Sequence, residues 1–279
     1  MGSSNAGPGR LAGLAVRNGL LRGLVLLILV TGGAILVATL LSAGQTAREL
    51  SEALIRATSD RVEVELDRLF APVRSGLRIA QGWGRRGALP LDDPEALGAL
   101  LMPFLADNPL ISSIMLADAR GAEYMLRRSG ADAPARWSVR VLPPVAAAPA
   151  RLLELAGDGA VISEEQRVVT YDPRERPWFR GAQEAVGGIY WTEPYPFLSA
   201  RAPGLTAAAA WEAAGGTLHV VGMDVLLSDL SAFTSSLPVG PGGRVLVLDD
   251  RGRTLGLPRD RRFETAEGTA AALLEPVDA

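Results

Sequence analysis

The chain has no cysteine among its 279 residues. Disulfides, thiolate metal ligands and cysteine nucleophiles are therefore excluded. It also has no lysine; every basic residue is arginine. A Walker A phosphate loop, a kinase strand lysine and a Schiff-base lysine are impossible. Histidine occurs once, at His219, so a two-histidine metal motif such as H-E-x-x-H cannot form. There is no G-x-S-x-G elbow. The net charge of −3 offers no strong field for nucleic acid. No metal, cofactor or covalent chemistry is expected. Glu164 and Glu165 read as solvated surface, and Asp249 to Gly252 as a plain hairpin turn rather than a calcium loop. His219 reads as a strand residue with no special role.

What the chain does have is a long apolar run. Gly23 to Gly44 reads GLVLLILVTGGAILVATLLSAG, without a charge. At ~1.5 Å per residue it spans roughly 33 Å, enough for a bilayer core of ~30 Å. Arg10, Arg17 and Arg22 precede it, and no acidic residue occurs before Glu49. The positive-inside rule places residues 1–22 in the cytoplasm and everything after Gly44 outside. The rival reading is a cleaved signal peptide ending near Ser42-Ala43-Gly44, but signal cores run ~7–15 residues. Arginine in place of lysine, with heavy use of Ala, Gly and Pro, suggests a high-GC bacterial genome. The expected location is the bacterial inner membrane, crossed once.

Beyond the span, apolar residues at Leu50, Leu54, Val62, Leu66, Leu69, Val73, Leu77 and Ala80 keep helical spacing. Gln45 to Gln81 is expected to be one long helix, kinked or broken at Pro72, a stalk suited to pairing with its copy in a homodimer. Pro94 to Leu105 predicts a second helix. Strands are expected at Ile111–Ala117, Ala122–Arg127, Trp137–Leu142 and Ile189–Thr192, with a hairpin of Leu205–Trp211 and Leu218–Asp224. Pro143 to Pro149 reads as loop, Arg151 to Ala156 as a short helix, Trp178 to Ala185 as helical turns and Leu226 to Leu237 as a helix. Pro238 to Gly243 breaks the chain. Arg244–Leu248 and Arg253–Leu257 predict a last hairpin, followed by a loose tail. The fold class is α+β.

The segment Tyr171-Asp172-Pro173-Arg174-Glu175-Arg176-Pro177-Trp178-Phe179 is the most specific feature. Two prolines stiffen it. A guanidinium can take a carboxylate through two parallel hydrogen bonds, and an indole beside it offers an apolar wall with one donor. Bland readings stand next to this one. Arg176 could pair with Glu175 or Asp172, Trp178 could be core, and Asp224 could cap a helix starting near Val225.

These residues carry a likeness. The chain resembles the double Cache sensor domains of bacterial transmembrane receptors, over roughly Ala47 to Leu257. The likeness rests on the membrane helix and stalk, the strand-turn-strand Ile111–Tyr124 and the DPR-x-RPW loop. It extends to Trp191-Thr192-Glu193-Pro194-Tyr195, Val221-Gly222-Met223-Asp224 and Leu246–Gly252. It implies two PAS-like modules, a membrane-distal one over 108–238 and an incomplete proximal one over 239–279, after stalk and flanking helices over 45–107. It implies that Tyr171, Arg176 and Trp178 hold a ligand carboxylate, with Phe179, Tyr195, Phe197 and Asp224 at the remaining family positions. Phe179 stands where the family has tyrosine, and Phe197 where it has an aspartate for the α-ammonium. One carboxylate, Asp224, is then left to face an ammonium, and burying an ammonium so is costly. A small organic acid is favoured over an amino acid; an amine held by Asp224 and aromatic faces remains open.

The resemblance implies the sensory portion of a receptor rather than an enzyme, with a small molecule and the membrane as partners, and a chain truncated from a longer receptor. The rivals are an extracytoplasmic enzyme or a structural anchor. The first test is topological. A reporter enzyme fused after Leu50 should be active in the periplasmic form only, and a mature N-terminus near Gln45 would show cleavage instead of anchoring.

Overall fold

A computed structural model describes residues 9–130, 133–144, 149–239, 243–258, 260 and 273. Part of the Pro143–Pro149 loop, part of the Pro238–Gly243 break and nearly all of the tail after Asp260 lie outside the described residues. The chain divides into two compact units, 1–63 and 64–279.

The first helix, α1, runs Gly9–Arg85 without a break. The apolar run and the helix expected to continue out of it over Gln45–Gln81 fall in one element, because nothing between Gly44 and Arg48 removes a backbone donor. α1 holds the one stretch among the described residues long and apolar enough to cross a membrane, with a mean hydropathy of 2.8 over 18 residues. The leucines and valines of that stretch are exposed. Pro72 does not end the helix. Its missing N–H leaves a carbonyl of the preceding turn without its usual donor. The Arg74 guanidinium donates to the carbonyl of Asp67, one residue before the one Pro72 leaves without a donor, at 2.9 Å.

In the second unit α1 and α2 (Pro94–Asp107) cover one face of an antiparallel sheet. Asp93 caps α2 by accepting from the N–H groups of Glu95 and Ala96. The strands are β1 (Ile111–Asp118), β2 (Glu123–Arg128), β3 (Trp137–Leu142), β4 (Ala150–Leu155), β5 (Val161–Arg167), β6 (Tyr190–Trp191), β7 (Tyr195–Phe197), β8 (Ala202–Glu212) and β9 (Leu218–Leu226). Their order is β5-β4-β3-β2-β1-β9-β8-β6, with β7 also on β8. The helix-covered face is a continuous apolar layer: Val73, Leu77 and Leu97 meet Ile114, Leu126, Trp211 and Val225. Gln81, buried there, donates to the Ala210 carbonyl at 2.7 Å, so its amide N–H is satisfied.

The opposite face of the central strands is covered by a 3-10 turn, Pro173–Glu175, and by α3 (Pro177–Glu184). Trp178, Phe179 and Ala182 pack there on Met115, Met125, Ala208 and Val220. α4 (Leu227–Ser236) follows β9 and packs on a two-stranded hairpin, β10 (Val247–Leu248) and β11 (Thr254–Gly256). Thr234 Oγ1 donates to the Leu257 carbonyl at 2.7 Å. Asp249 closes the hairpin turn by accepting from the N–H groups of Arg251 and Arg253.

Between 150 and 167 one expectation fails and one strand goes unpredicted. Arg151–Ala156 is not a helix but strand β4. A short apolar run fits either period, and the pairing Val139↔Leu153 and Trp137↔Leu155 decides it. β5 went unseen because every residue in it is exposed, so no alternation marks it. It is held by pairing to β4 and by the Arg151–Glu164 ion pair at 2.7 Å.

Leu77 is fully buried between α1 and the sheet. Leu77→Ala should cost about 2–5 kcal/mol of unfolding free energy, whereas Arg78→Ala on the exposed side should stay within about 0.5 kcal/mol. Urea denaturation followed by tryptophan fluorescence measures both.

Candidate functional site

The register of the central strands builds the site. Thr206 on β8, Asp224 on β9 and Ser113 on β1 are directly paired neighbours across three strands, so their side chains stand in one row on the face that the Tyr171–Phe179 loop covers. Asp224 is buried. Ser113 Oγ donates to its Oδ2 and Thr206 Oγ1 to its Oδ1, each at 2.6 Å. The Tyr195 hydroxyl lies 2.7 Å from Thr206 Oγ1. With Thr206 donating to the carboxylate, Tyr195 is the donor in that bond. Burial pushes the Asp224 carboxyl up to about 6, and the two hydroxyls pull against that. In the next row sit Gly222, Met115, Met125 and Arg140. A Cβ on Gly222 would lie 3.0 Å from Met115 and 3.2 Å from Trp178; glycine lets the indole descend onto the sheet.

Tyr171, Arg176, Trp178, Tyr195, Phe197 and Asp224 line one cavity, together with Met115, Met125, Arg140, Leu198 and Ser199. Phe179, the remaining candidate, does not line it. Phe179 is buried core, edge-on to Trp178 at 5.7 Å, because it follows Trp178 on the helix and points about 100° away. Trp178 serves both readings: it is buried core and cavity wall. Phe197 is buried and edge-on to Tyr195 at 5.1 Å.

The bland alternatives for Arg176 and Asp224 do not hold. Asp172 is taken by Arg174, whose Nη2 lies 2.7 Å from Oδ2 and whose N–H bonds Oδ1. Among the described residues the Arg176 guanidinium has no hydrogen bond or ion pair; its carbon lies 5.4 Å from the centre of the Tyr195 ring. Asp224 does not cap α4, whose N-cap is Leu226 with no side-chain bond.

Sequence reading missed Arg140, Glu123, Ser113 and Thr206. Arg140 Nε and Nη2 reach Glu123 Oε2 at 2.9 and 2.7 Å, and the Tyr171 hydroxyl donates to Oε1 at 3.0 Å. The Arg140 guanidinium also stacks 4.1 Å from the Tyr171 ring centre. Burial holds the Glu123 carboxyl above the usual carboxylate range, and Arg140 and Tyr171 pull against that. Three donors converge on its two oxygens, the surroundings a buried ion pair requires. The signal for Arg140 was present in Trp137-Ser138-Val139-Arg140-Val141-Leu142: alternation puts Arg140 opposite the apolar face. Which face the distant loop covers is not written there. His219 lies outside this cavity, stacked on Trp211 at 5.5 Å.

The cavity measures about 20 Å³, room for one water centre. A larger depression of about 300 Å³ opens on the helix-covered side beside Leu97, Leu116 and Tyr124. Its one arginine, Arg120, is already paired with Asp118 at 2.7 Å. The smaller cavity, with its unpaired guanidinium, is the better candidate.

No family model matches the chain. Among solved structures it is similar to methyl-accepting chemotaxis protein X, with 15% identity, 80% of this chain and 76% of that one covered, and a TM-score of 0.50. It is also similar to the ligand-binding domain of the Pseudomonas aeruginosa PAO1 amino acid chemoreceptor PctC in complex with GABA (20% identity, 80% and 77% covered, TM-score 0.48). A third is the ligand-binding domain of the Pseudomonas fluorescens chemoreceptor CtaA in complex with L-isoleucine (21%, 79% and 68%, 0.45). The likeness bears on fold alone: a long N-terminal helix and an antiparallel sheet module, as the resemblance of motifs implied.

Because the fold raises the Asp224 pKa, the native state holds that proton more tightly than the unfolded chain does. The resulting stabilisation is full below about pH 4 and is lost as pH rises through about 6. The stability difference between wild type and Asp224→Asn should therefore fall by on the order of 2–3 kcal/mol from pH 4 to pH 7. Urea titrations at four pH values measure it; a flat difference would mean the carboxyl is not perturbed.

Proposed function

We propose that the chain is the extracytoplasmic sensing portion of a membrane-anchored bacterial receptor, and that the cavity under the Tyr171–Phe179 loop binds a small carboxylate. One observation carries the reading: Arg176 presents a guanidinium without a hydrogen-bond or ion-pair partner among the described residues to a cavity walled by Trp178, Tyr195 and Phe197. A half-buried guanidinium with no partner at a cavity wall is a ready donor for a carboxylate. Arg176 and Trp178 take the carboxylate, Tyr171 and Tyr195 flank it, and Asp224 stands opposite. Phe197 gives an ammonium no partner, which favours an organic acid over an α-amino acid. The cavity is closed to a ligand-sized body, and the exposed Leu198 at its rim, in the turn between β7 and β8, is the wall best placed to give way.

The organisation that goes with this reading is 1–22 cytoplasmic, 23–44 in the inner membrane, 45–107 stalk and flanking helices, 108–238 the distal module and 239–279 part of a proximal one. A homodimer through the stalk fits the exposed Leu50, Leu54 and Ile55. A sensor rather than an enzyme is part of the same reading.

Arg176→Ala should weaken carboxylate binding ten- to a hundredfold, the loss of a charge-assisted bond of about 1.5–3 kcal/mol, while circular dichroism stays native. Arg176→Lys should not restore it, since the fork is lost. Calorimetry with a carboxylate panel decides; unchanged affinity in Arg176→Ala would remove the reading's main support.

A further inference from the structure

We propose that Glu123 sets the charge class of the ligand: by neutralising Arg140 it restricts the cavity to molecules with one carboxylate and turns dicarboxylates away. This rests on the reading that Arg176 receives a carboxylate.

Two arginines line the cavity, Arg140 and Arg176. Taken alone, a pair of guanidiniums would suit a dianion. They are not equivalent. Glu123 sits on β2, diagonal to Arg140 across the β2–β3 pair, where Met125 and Leu142 are the direct partners. Its side chain is fully buried beneath the cavity wall and it holds Arg140 through two hydrogen bonds to one oxygen. Tyr171 is the lid on this pair: its hydroxyl donates to the other oxygen and its ring stacks on the guanidinium. The charge of Arg140 is spent inside the wall, and that of Arg176 is not.

A second ligand carboxylate directed at Arg140 would meet Glu123 behind it and Asp224 beside it. Both are buried carboxylates already supplied with donors. At low dielectric that like-charge approach is a repulsive element against the wrong ligand. A single carboxylate at Arg176 avoids it, and the rest of such a ligand meets Trp178, Phe197 and the two methionines, which suit an apolar or neutral body.

The test uses the full chain in detergent and three pairs of probes matched in carbon number: propionate and malonate, butyrate and succinate, valerate and glutarate. Calorimetry on wild type should show the monocarboxylate of a pair binding at least tenfold tighter than its dicarboxylate. Glu123→Gln keeps the shape and an oxygen acceptor but removes the charge, and should erase or invert that ratio. Glu123→Gln with Arg140→Gln makes the wall neutral again and should restore the wild-type ratio. A merely structural pair would leave the ratio unchanged in all three proteins, and that result overturns the inference. Should Glu123→Gln not fold, Arg140→Gln carries the test, since it leaves Glu123 without its cation; monocarboxylate affinity should then fall at least fivefold, and an unchanged value overturns the inference. If Arg176→Ala leaves monocarboxylate binding as in wild type, or no probe binds any of the proteins, the underlying reading fails with it. If Arg176→Ala weakens binding and only the ratio is unmoved, the failure belongs to Glu123 alone.

Discussion

A buried carboxylate in the middle of a sheet is the constraint on which the site depends. Asp224 sits on β9 between β1 and β8, and both neighbours answer it with a hydroxyl in register. A slip of one residue in either pairing would turn Ser113 or Thr206 to the helix-covered face and leave the acid without its donor. The same slip would turn Ile114, Leu116 and Met223 out of the core. The apolar layer and the polar row therefore enforce each other, and the cavity inherits its precision from strand pairing rather than from the loop above it.

The loop contributes a division of labour between two arginines. Arg174 closes on Asp172, which also caps the 3-10 turn, and so fixes the backbone that launches α3. Pro177 then starts α3 at the position where a missing N–H costs nothing. Arg176, between these two restraints, is held by its backbone and not by its side chain. Its guanidinium is free to answer something else while its base is kept still, which is the arrangement that pre-organised recognition requires.

The sequence made the β1–β2 and β8–β9 hairpins legible because each joins two runs rich in apolar residues across a turn that carries Gly121 or Gly215-Gly216. It made Arg176 and Trp178 legible because prolines bracket them. It did not show β5, which buries nothing, or that β4 is extended, since Leu152-Leu153-Glu154-Leu155 satisfies two periods. Nor did it show Glu123 or Arg140. Their roles come from a loop about 50 residues downstream of Glu123 landing on their face of the sheet, and no local pattern records a long-range docking. Phe179 illustrates the converse. Adjacent to Trp178 in sequence, it was assigned to the site by family position, and one helical step sends it into the core.

Both cations in the cavity wall are arginines, and a guanidinium keeps its charge at any pH a cell surface meets. Acidification can reach this cavity through its acids, among them Asp224, whose carboxyl is poised near 6. As the surroundings fall through that value, the wall opposite Arg176 loses its negative charge while Arg176 keeps its own. A ligand held by its positive end would be let go, and one held by its carboxylate would be kept. On the sensing reading proposed above, a fall in pH would then act as a filter on the sign of the charge that is bound rather than as an on–off control of binding.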